Sequence, residues 1–258
     1  MTPYDERYRK LLDLAESLGK HRERIVREAV RELRFTIKDS EAEVDISIDR
    51  LKMFADARPI LEGRRPLGGR GSFVSLMLSY NGSSWLNTAI TSLYMVGNRV
   101  NVKFSSKGSG LSVLTESIYK PIFGDDIRFT RESGKEFMER SLKDPGVSAV
   151  VAFGSDDNIL PYEKAFRRSG KKLVFEGPGQ DPFIVFPDAD LDLAMRDLVS
   201  SKFSYSGQTC VAPKRILIHR SIYDGFLARF EERVRRLVVG SPEDARTCLL
   251  YTSPSPRD

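Results

Sequence analysis

Cysteine and histidine are scarce: the chain holds two of each in 258 residues. Cys210 and Cys248 cannot build a disulfide framework, and their scarcity fits a reducing, cytoplasmic compartment. His21 and His219 stand far apart with no metal-spaced companions, so no metal site is expected. No run of 18 apolar residues occurs, so no membrane span is expected. The opening Met1-Thr2-Pro3-Tyr4-Asp5-Glu6 has no apolar signal core. A strong excess of one charge sign is missing too: 41 basic residues face 36 acidic ones, for a net charge of +5. The two signs are interleaved, which reads as a solvated mixed-charge surface and not as a nucleic-acid footprint. What is present is a globular composition, 40% hydrophobic and 10% aromatic. The length suffices for one large or two medium domains.

Apolar spacing sets the expected elements. Leu11, Leu14, Ala15 and Leu18, then Ile25, Ala29 and Leu33, recur at helical intervals between Tyr4 and Phe35, with Gly19 expected to divide two helices. Leu51, Phe54 and Ala55 suggest one face of a third. Crowded charges mark these as exposed packing helices. From Gly71 the pattern alternates. Strands are expected at 73–78, 98–104, 127–129, 147–153, 172–175 and 215–219, and helices at 85–96, 109–121, 133–142, 159–168, 190–203 and 222–237. Such alternation implies βαβ units, a mainly parallel sheet, and ligands at the carboxyl ends of its strands. The residues from Cys248 onward lack periodicity and are expected to be a non-native tail without a place in the fold.

One segment carries most of the chemistry: Tyr205-Ser206-Gly207-Gln208-Thr209-Cys210-Val211-Ala212-Pro213-Lys214-Arg215. Glu176 lies 34 positions upstream, in Phe175-Glu176-Gly177-Pro178-Gly179-Gln180-Asp181-Pro182. A thiol nucleophile and a carboxylate base are the two groups needed to make and then hydrolyse a thioester. The Gly-Gln-x-Cys-x-Ala-x-x-Arg pattern, the upstream Glu-x-x-Gly-x-x-Pro and the later Asp188-Ala189-Asp190-Leu191 together resemble the aldehyde dehydrogenase superfamily. The resemblance runs from about Gly71 to Thr247. It implies an α/β fold: a helical segment over 1–70, a Rossmann-like parallel-sheet cofactor domain over 71–178, and the start of an α/β catalytic domain over 179–247.

It also implies roles. Cys210 would be the nucleophile and Glu176 the base that activates water. Asn81, in Leu78-Ser79-Tyr80-Asn81, matches the asparagine that donates to the thiohemiacetal oxyanion. Lys103, which ends the second strand, matches the lysine on the adenosine ribose of NAD or NADP. Ser106 stands where a glutamate would repel a 2′-phosphate, which argues for NADP, or both cofactors, over strict NAD. Gly154 and Ser155 would approach the pyrophosphate, and Gly134 the adenine side; Tyr80 and Gly177 complete the expected cofactor contacts.

Departures accompany the match. Phe104 replaces a proline, Ile159 stands where a second glycine is usual, and Asp156 and Asp157 follow the pyrophosphate glycine directly. The family's chains are longer, so the sequence suggests a truncated member with exposed apolar surface, prone to aggregation or partial disorder after about Asp190. Three readings follow. The first is an NAD(P)-dependent oxidation of an aldehyde to a carboxylic acid. The second, an acyl-CoA-forming or acyl-CoA-reducing relative, is disfavoured because Glu176 would then be unneeded. The third is a non-catalytic nucleotide-binding fragment. Beyond a small aldehyde no partner is expected of the chain, neither nucleic acid nor membrane; the longer parent would be a homo-oligomer.

Overall fold

A computed structural model describes residues 2–64, 71–80 and 83–250, and for residues 83–87 the backbone alone. The chain forms two compact units. The first comprises Met1–Leu33 and Glu41–Gly177, and the second Arg34–Ser40 and Pro178–Asp258.

The chain opens with α1 (Pro3–Lys20), α2 (Arg22–Glu28), a π turn over Ala29–Leu33, α3 (Ile37–Lys52) and α4 (Arg58–Leu61). Helix α1 starts where its sequence directs: the Thr2 hydroxyl accepts from the Asp5 N–H, the Asp5 carboxylate accepts in return from the Thr2 N–H, and Pro3 follows. The break falls at His21 and not at Gly19, because the His21 N–H satisfies the carbonyls that end the helix. The mixed segment after Phe35 is one helix, α3, with Met53–Ala55 as a 3₁₀ turn beyond it.

Alternation then brings β1 (Phe73–Met77), α5 (Ser83–Met95), β2 (Arg99–Lys103), α6 (Ser109–Phe123), β3 (Ile127–Thr130), α7 (Gly134–Lys143), β4 (Val147–Phe153), α8 (Asp156–Ile159), α9 (Glu163–Ser169) and β5 (Lys172–Glu176). The five strands form one parallel sheet in the order β3-β2-β1-β4-β5. The helix expected over 159–168 is instead α8, a 3₁₀ turn at Leu160–Tyr162, and α9. Pro161 lies inside the interruption, where it cannot supply a helical N–H.

Strands β1 and β2 are buried along almost their whole length, as central strands covered on both faces must be. Leu76, Val100 and Val102 join Leu11, Leu14, Leu18, Leu51 and Ile118 in one core cluster. The N-terminal segment is thus not made only of exposed packing elements: a stripe of α1, with Leu51 of α3 and Phe54 after it, lies in the sheet's own core, while α2 and α4 bury no residue fully. A second cluster, around Phe137, Met138, Val150, Ile159 and Phe166, forms between β4, α7 and the α8–α9 region.

The second unit contains β6 (Pro182–Val185), α10 (Leu191–Phe203), β7 (Arg215–Ile218), α11 (Tyr223–Arg235), β8 (Val239–Gly240) and β9 (Leu249–Leu250). Strand β6, for which the sequence raised no expectation, pairs with β7 in parallel. Its proline occupies the first strand position, where a missing N–H is tolerated. Asp190 caps α10 by accepting from the Asp192 and Leu193 N–H groups. Val185, Met195, Leu198 and Phe226 form a small core. Where the sequence suggested partial disorder beyond Asp190, the chain folds into α10, β7 and α11. Ile184, Phe186 and Leu217 are exposed apolar residues of this unit. The segment from Cys248 also takes part: Leu249 and Leu250 pair with Val239 and Gly240 in parallel, because two adjacent apolar residues can complete so short a ladder.

Candidate active site

In the first unit, the strand order reverses between β1 and β4: the chain winds from β1 to β2 and β3, then returns to β4 on β1's other side. The crevice at such a switch point, outside the carboxyl ends, is where doubly wound sheets bind ligands. Register fixes what lies there. Met77 pairs with Lys103 and with Ala152, Lys103 pairs with Thr130, and Phe153 pairs with Glu176. Tyr80, Lys103, Ser106, Gly134, Gly154, Ser155, Glu176 and Gly177 therefore stand at or just beyond one edge of one sheet. Asn81 lies outside the described residues.

Lys103 is 7% exposed, and its ammonium donates to the Phe104 carbonyl at 2.8 Å. Burial pushes its pKa below the ordinary lysine value. An anion nearby would offset that desolvation. Ser106 opens a 3₁₀ turn capped by the Ser105 hydroxyl. The Lys107 ammonium in the same turn lies 4.7 Å from the centre of the Tyr80 ring. Gly134 opens α7 beside the Met77 sulfur, 3.5 Å from where a Cβ would stand.

Helix N-termini at this edge are mostly occupied from within. The Gly110 and Leu111 N–H groups at the start of α6 both donate to the Glu32 carboxylate, at 2.9 Å each. Helix α7 closes its own end with a capping box between Ser133 and Glu136. Helix α8, after Gly154-Ser155, has only four residues and begins Asp156-Asp157, so its dipole is weak and its first turn repels a phosphate. Ile159 is fully buried and lies 3.5 Å from where a Cβ of Gly154 would stand. The residues present thus fit the adenosine-ribose end of a dinucleotide, through Lys103 and Ser106. They do not offer the pyrophosphate an open glycine cradle on an extended helix.

Glu176 ends β5 and is exposed, and its carbonyl accepts from the Gly154 N–H at 3.2 Å. That bond joins the last residue of β5 to the loop after β4.

The second unit presents the thiol. Cys210 is exposed, whereas Gln208, Thr209 and Ala212 beside it are buried. The loop is stitched by Gln208 N–H to Tyr205 C=O (3.1 Å), Ala212 N–H to Thr209 C=O (3.2 Å) and Lys214 N–H to Asp181 C=O (2.9 Å). Gly179 lies against it: an added Cβ there would stand 2.8 Å from the Cys210 carbonyl carbon and closer still to its oxygen. Only glycine allows that approach. The Lys214 ammonium donates to the Gly207 carbonyl at 3.3 Å; burial, and secondarily Lys214, lowers the Lys202 pKa.

The conserved-domain model described as the aldehyde dehydrogenase family matches residues 1–249. The chain belongs to the aldehyde dehydrogenase family. Among curated relatives, an NADP(+) succinate-semialdehyde dehydrogenase of Mycolicibacterium paratuberculosis is 40% identical over 110 residues, covering 43% of this chain and 23% of the relative. A D-glyceraldehyde dehydrogenase (NADP(+)) of Thermoplasma acidophilum is 26% identical over 223 residues, covering 81% of this chain and 45% of the relative. An oxidoreductase structure from Marinobacter aquaeolei superposes with a TM-score of 0.88 at 22% identity, covering 96% of this chain and 55% of that one. A glyceraldehyde-3-phosphate dehydrogenase from Methanocaldococcus jannaschii complexed with NADP reaches 0.82 at 23%, covering 96% and 57%. Both share the fold of this chain. The chain spans half or less of the length of these curated relatives.

Sequence reasoning missed two groups of residues. Gly179 carried a usable signal, since a glycine inside Gly-Pro-Gly demands a reason. Phe35 and Asp39, which lie against the segment before Cys210, carried none: nothing local marks a residue whose partner is more than 160 positions away.

Proposed function

We propose that the protein to which this chain belongs oxidises an aldehyde to a carboxylic acid with NADP+ or NAD+. The observation that supports this best is the gathering of eight expected cofactor and base residues along one sheet edge, with an exposed thiol on a separately braced loop. In this reading the Cys210 thiolate attacks the aldehyde carbon, forming a C–S bond and a thiohemiacetal alkoxide. Asn81 and the Cys210 N–H donate to that oxygen. A nicotinamide cofactor, held through Lys103 and Ser106, would supply the hydride acceptor needed to turn the thiohemiacetal into a thioester on Cys210. Glu176 takes a proton from the water that attacks the thioester. The carboxylic acid leaves and the thiolate is regenerated.

Lys103 holds the adenosine ribose, and Ser106 leaves room for a 2′-phosphate, so NADP is favoured. The names of the mycobacterial and archaeal relatives favour NADP too, and they point to short polar aldehydes as the first to try. Residues 71–178 serve as the cofactor domain and 179–247 as part of the catalytic domain. The reaction takes place in a reducing compartment such as the cytoplasm, in keeping with two free cysteines. Among the described residues no helix is long and apolar enough to cross a membrane. The test is aldehyde-dependent NAD(P)H formation with NADP and NAD in parallel, on this chain and on Cys210→Ala. Activity that Cys210→Ala abolishes supports the proposal; activity that survives it refutes the nucleophile.

A further inference from the structure

The segment before Cys210 is held in a backbone conformation that its residues disfavour. Tyr205 (φ 52°, ψ 31°) and Ser206 (φ 55°, ψ 32°) both adopt left-handed geometry, and Gly207 follows at φ 72°. Glycine takes that conformation freely; residues with a Cβ do so at a cost, and rarely in succession. Among the described residues only Arg34 joins them as a non-glycine with positive φ. Such strain persists only where surrounding structure over-determines it, and it clusters at functional sites.

The surroundings that impose it come from the far end of the sequence. Phe35 meets the Tyr205 ring edge-on, with centroids 5.1 Å apart. The Tyr205 backbone N–H faces the Asp39 carboxylate and favours its charged form. Asp39 is in turn fixed by Thr36, whose hydroxyl donates to it at 2.8 Å and accepts from the Asp39 N–H at 3.1 Å. On the other side of the run, the Ser206 hydroxyl accepts from the Leu250 N–H at 3.2 Å. All of these residues belong to the second unit. The run is coupled forward to the thiol, because the Gln208 N–H bonds to the Tyr205 carbonyl, two residues short of Cys210.

Asp39 is half-buried. Burial raises its pKa above the ordinary aspartate value, while the bonds from Thr36 and Tyr205 act in the opposite sense. The carboxyl group thus joins the first turn of α3, through Thr36, to the backbone of the left-handed run.

We infer that Asp39 is a positioning residue for the Cys210 thiol: with Phe35, it locks the left-handed run Tyr205–Gly207 and so sets the direction from which the thiol is presented. The inference rests on reading Cys210 as the nucleophile. Asp39 does not touch the reacting atoms; it acts through the backbone.

The test uses Cys248→Ser as background, leaving Cys210 as the single thiol. A nitroxide attached to Cys210 reports the order of the loop, and hydrogen exchange reports the Gln208 and Ala212 amides. In the parent background the nitroxide spectrum is a single ordered component. Asp39→Ala adds a mobile component and speeds exchange at both amides at least fivefold. Asp39→Asn keeps an oxygen acceptor for the Tyr205 amide and stays within about twofold. Adding Ser206→Gly to Asp39→Ala lowers the cost of the left-handed run and restores most of the order. The inference is overturned if Asp39→Ala changes neither signal, if Asp39→Asn is as impaired as Asp39→Ala, or if Ser206→Gly restores nothing. Neither readout requires turnover. Failure here is therefore distinct from failure of the nucleophile reading, which the Cys210→Ala assay decides.

Discussion

Replacing Gly179 with alanine adds one methyl group and should damage the thiol loop more than any surface charge change. The added Cβ would stand 2.8 Å from the Cys210 carbonyl carbon and 2.6 Å from an Asp181 carboxylate oxygen. The carboxylate can swing away, but the carbonyl is backbone and moves only with Cys210. Moving the carbonyl carbon alone out to an ordinary contact of 3.4 Å takes about 0.6 Å, and the oxygen, which is closer still, must move further. Overpacking of this kind costs about 1–3 kcal/mol. A misplacement near 1 Å can lower a rate on the order of 100-fold, so a loss of roughly 10- to 100-fold in aldehyde oxidation is expected. Gly225→Ala is the control: nothing lies within 4 Å of its added Cβ, and it sits inside α11. That variant should be neutral or slightly stabilising. Initial rates of NAD(P)H formation and thermal unfolding of both variants decide the matter. A Gly179→Ala protein within twofold of the parent rate would refute the close approach at Cys210.

Further expectations follow from other parts of the molecule. Ser106→Glu should weaken NADP binding roughly tenfold by placing like charges together and leave NAD binding nearly unchanged, as read by titration calorimetry. Glu132 accepts two bonds from Arg140, both at 2.8 Å, and this pairing holds its pKa below the ordinary 4.5. A depressed carboxyl stabilises the fold above its unfolded pKa and loses that contribution as pH falls through its folded one. Glu132→Gln should therefore cost about 0.5–1 kcal/mol near pH 7, and the difference in Tm should shrink towards zero as the pH drops below about 4. Leu76→Ala, in the fully buried centre of β1, should cost about 2–5 kcal/mol in chemical denaturation.

The sheet was legible because its strands are local apolar runs between helices with regular spacing. Val147–Phe153 coincides with its strand, and Asp190 caps α10 as its position suggested. Errors arose where tertiary contact outweighed local pattern. Charges on α1 suggested an exposed helix, yet Leu11 and Leu14 are fully buried. Pro161 broke a helix that the apolar spacing continued. Leu249 and Leu250 found a partner strand that no local rule supplies. At the site, each motif residue could be named from its neighbours in sequence, but Asp39 and Phe35 could not. Their role at the loop lies in contact with Tyr205, and long-range contacts leave no periodicity to read.

The most direct test of the central claim is to trap the acyl group. Glu176→Gln removes the base for hydrolysis, which typically slows such a step by about 10²–10⁴-fold, and lets the thioester accumulate. Incubation with aldehyde and NADP+, followed by peptide mass spectrometry, should show one acyl group on the Cys210 peptide and about one equivalent of NADPH formed. NADPH formed without an adduct on Cys210, or in equal amount by Cys210→Ala, would contradict the account.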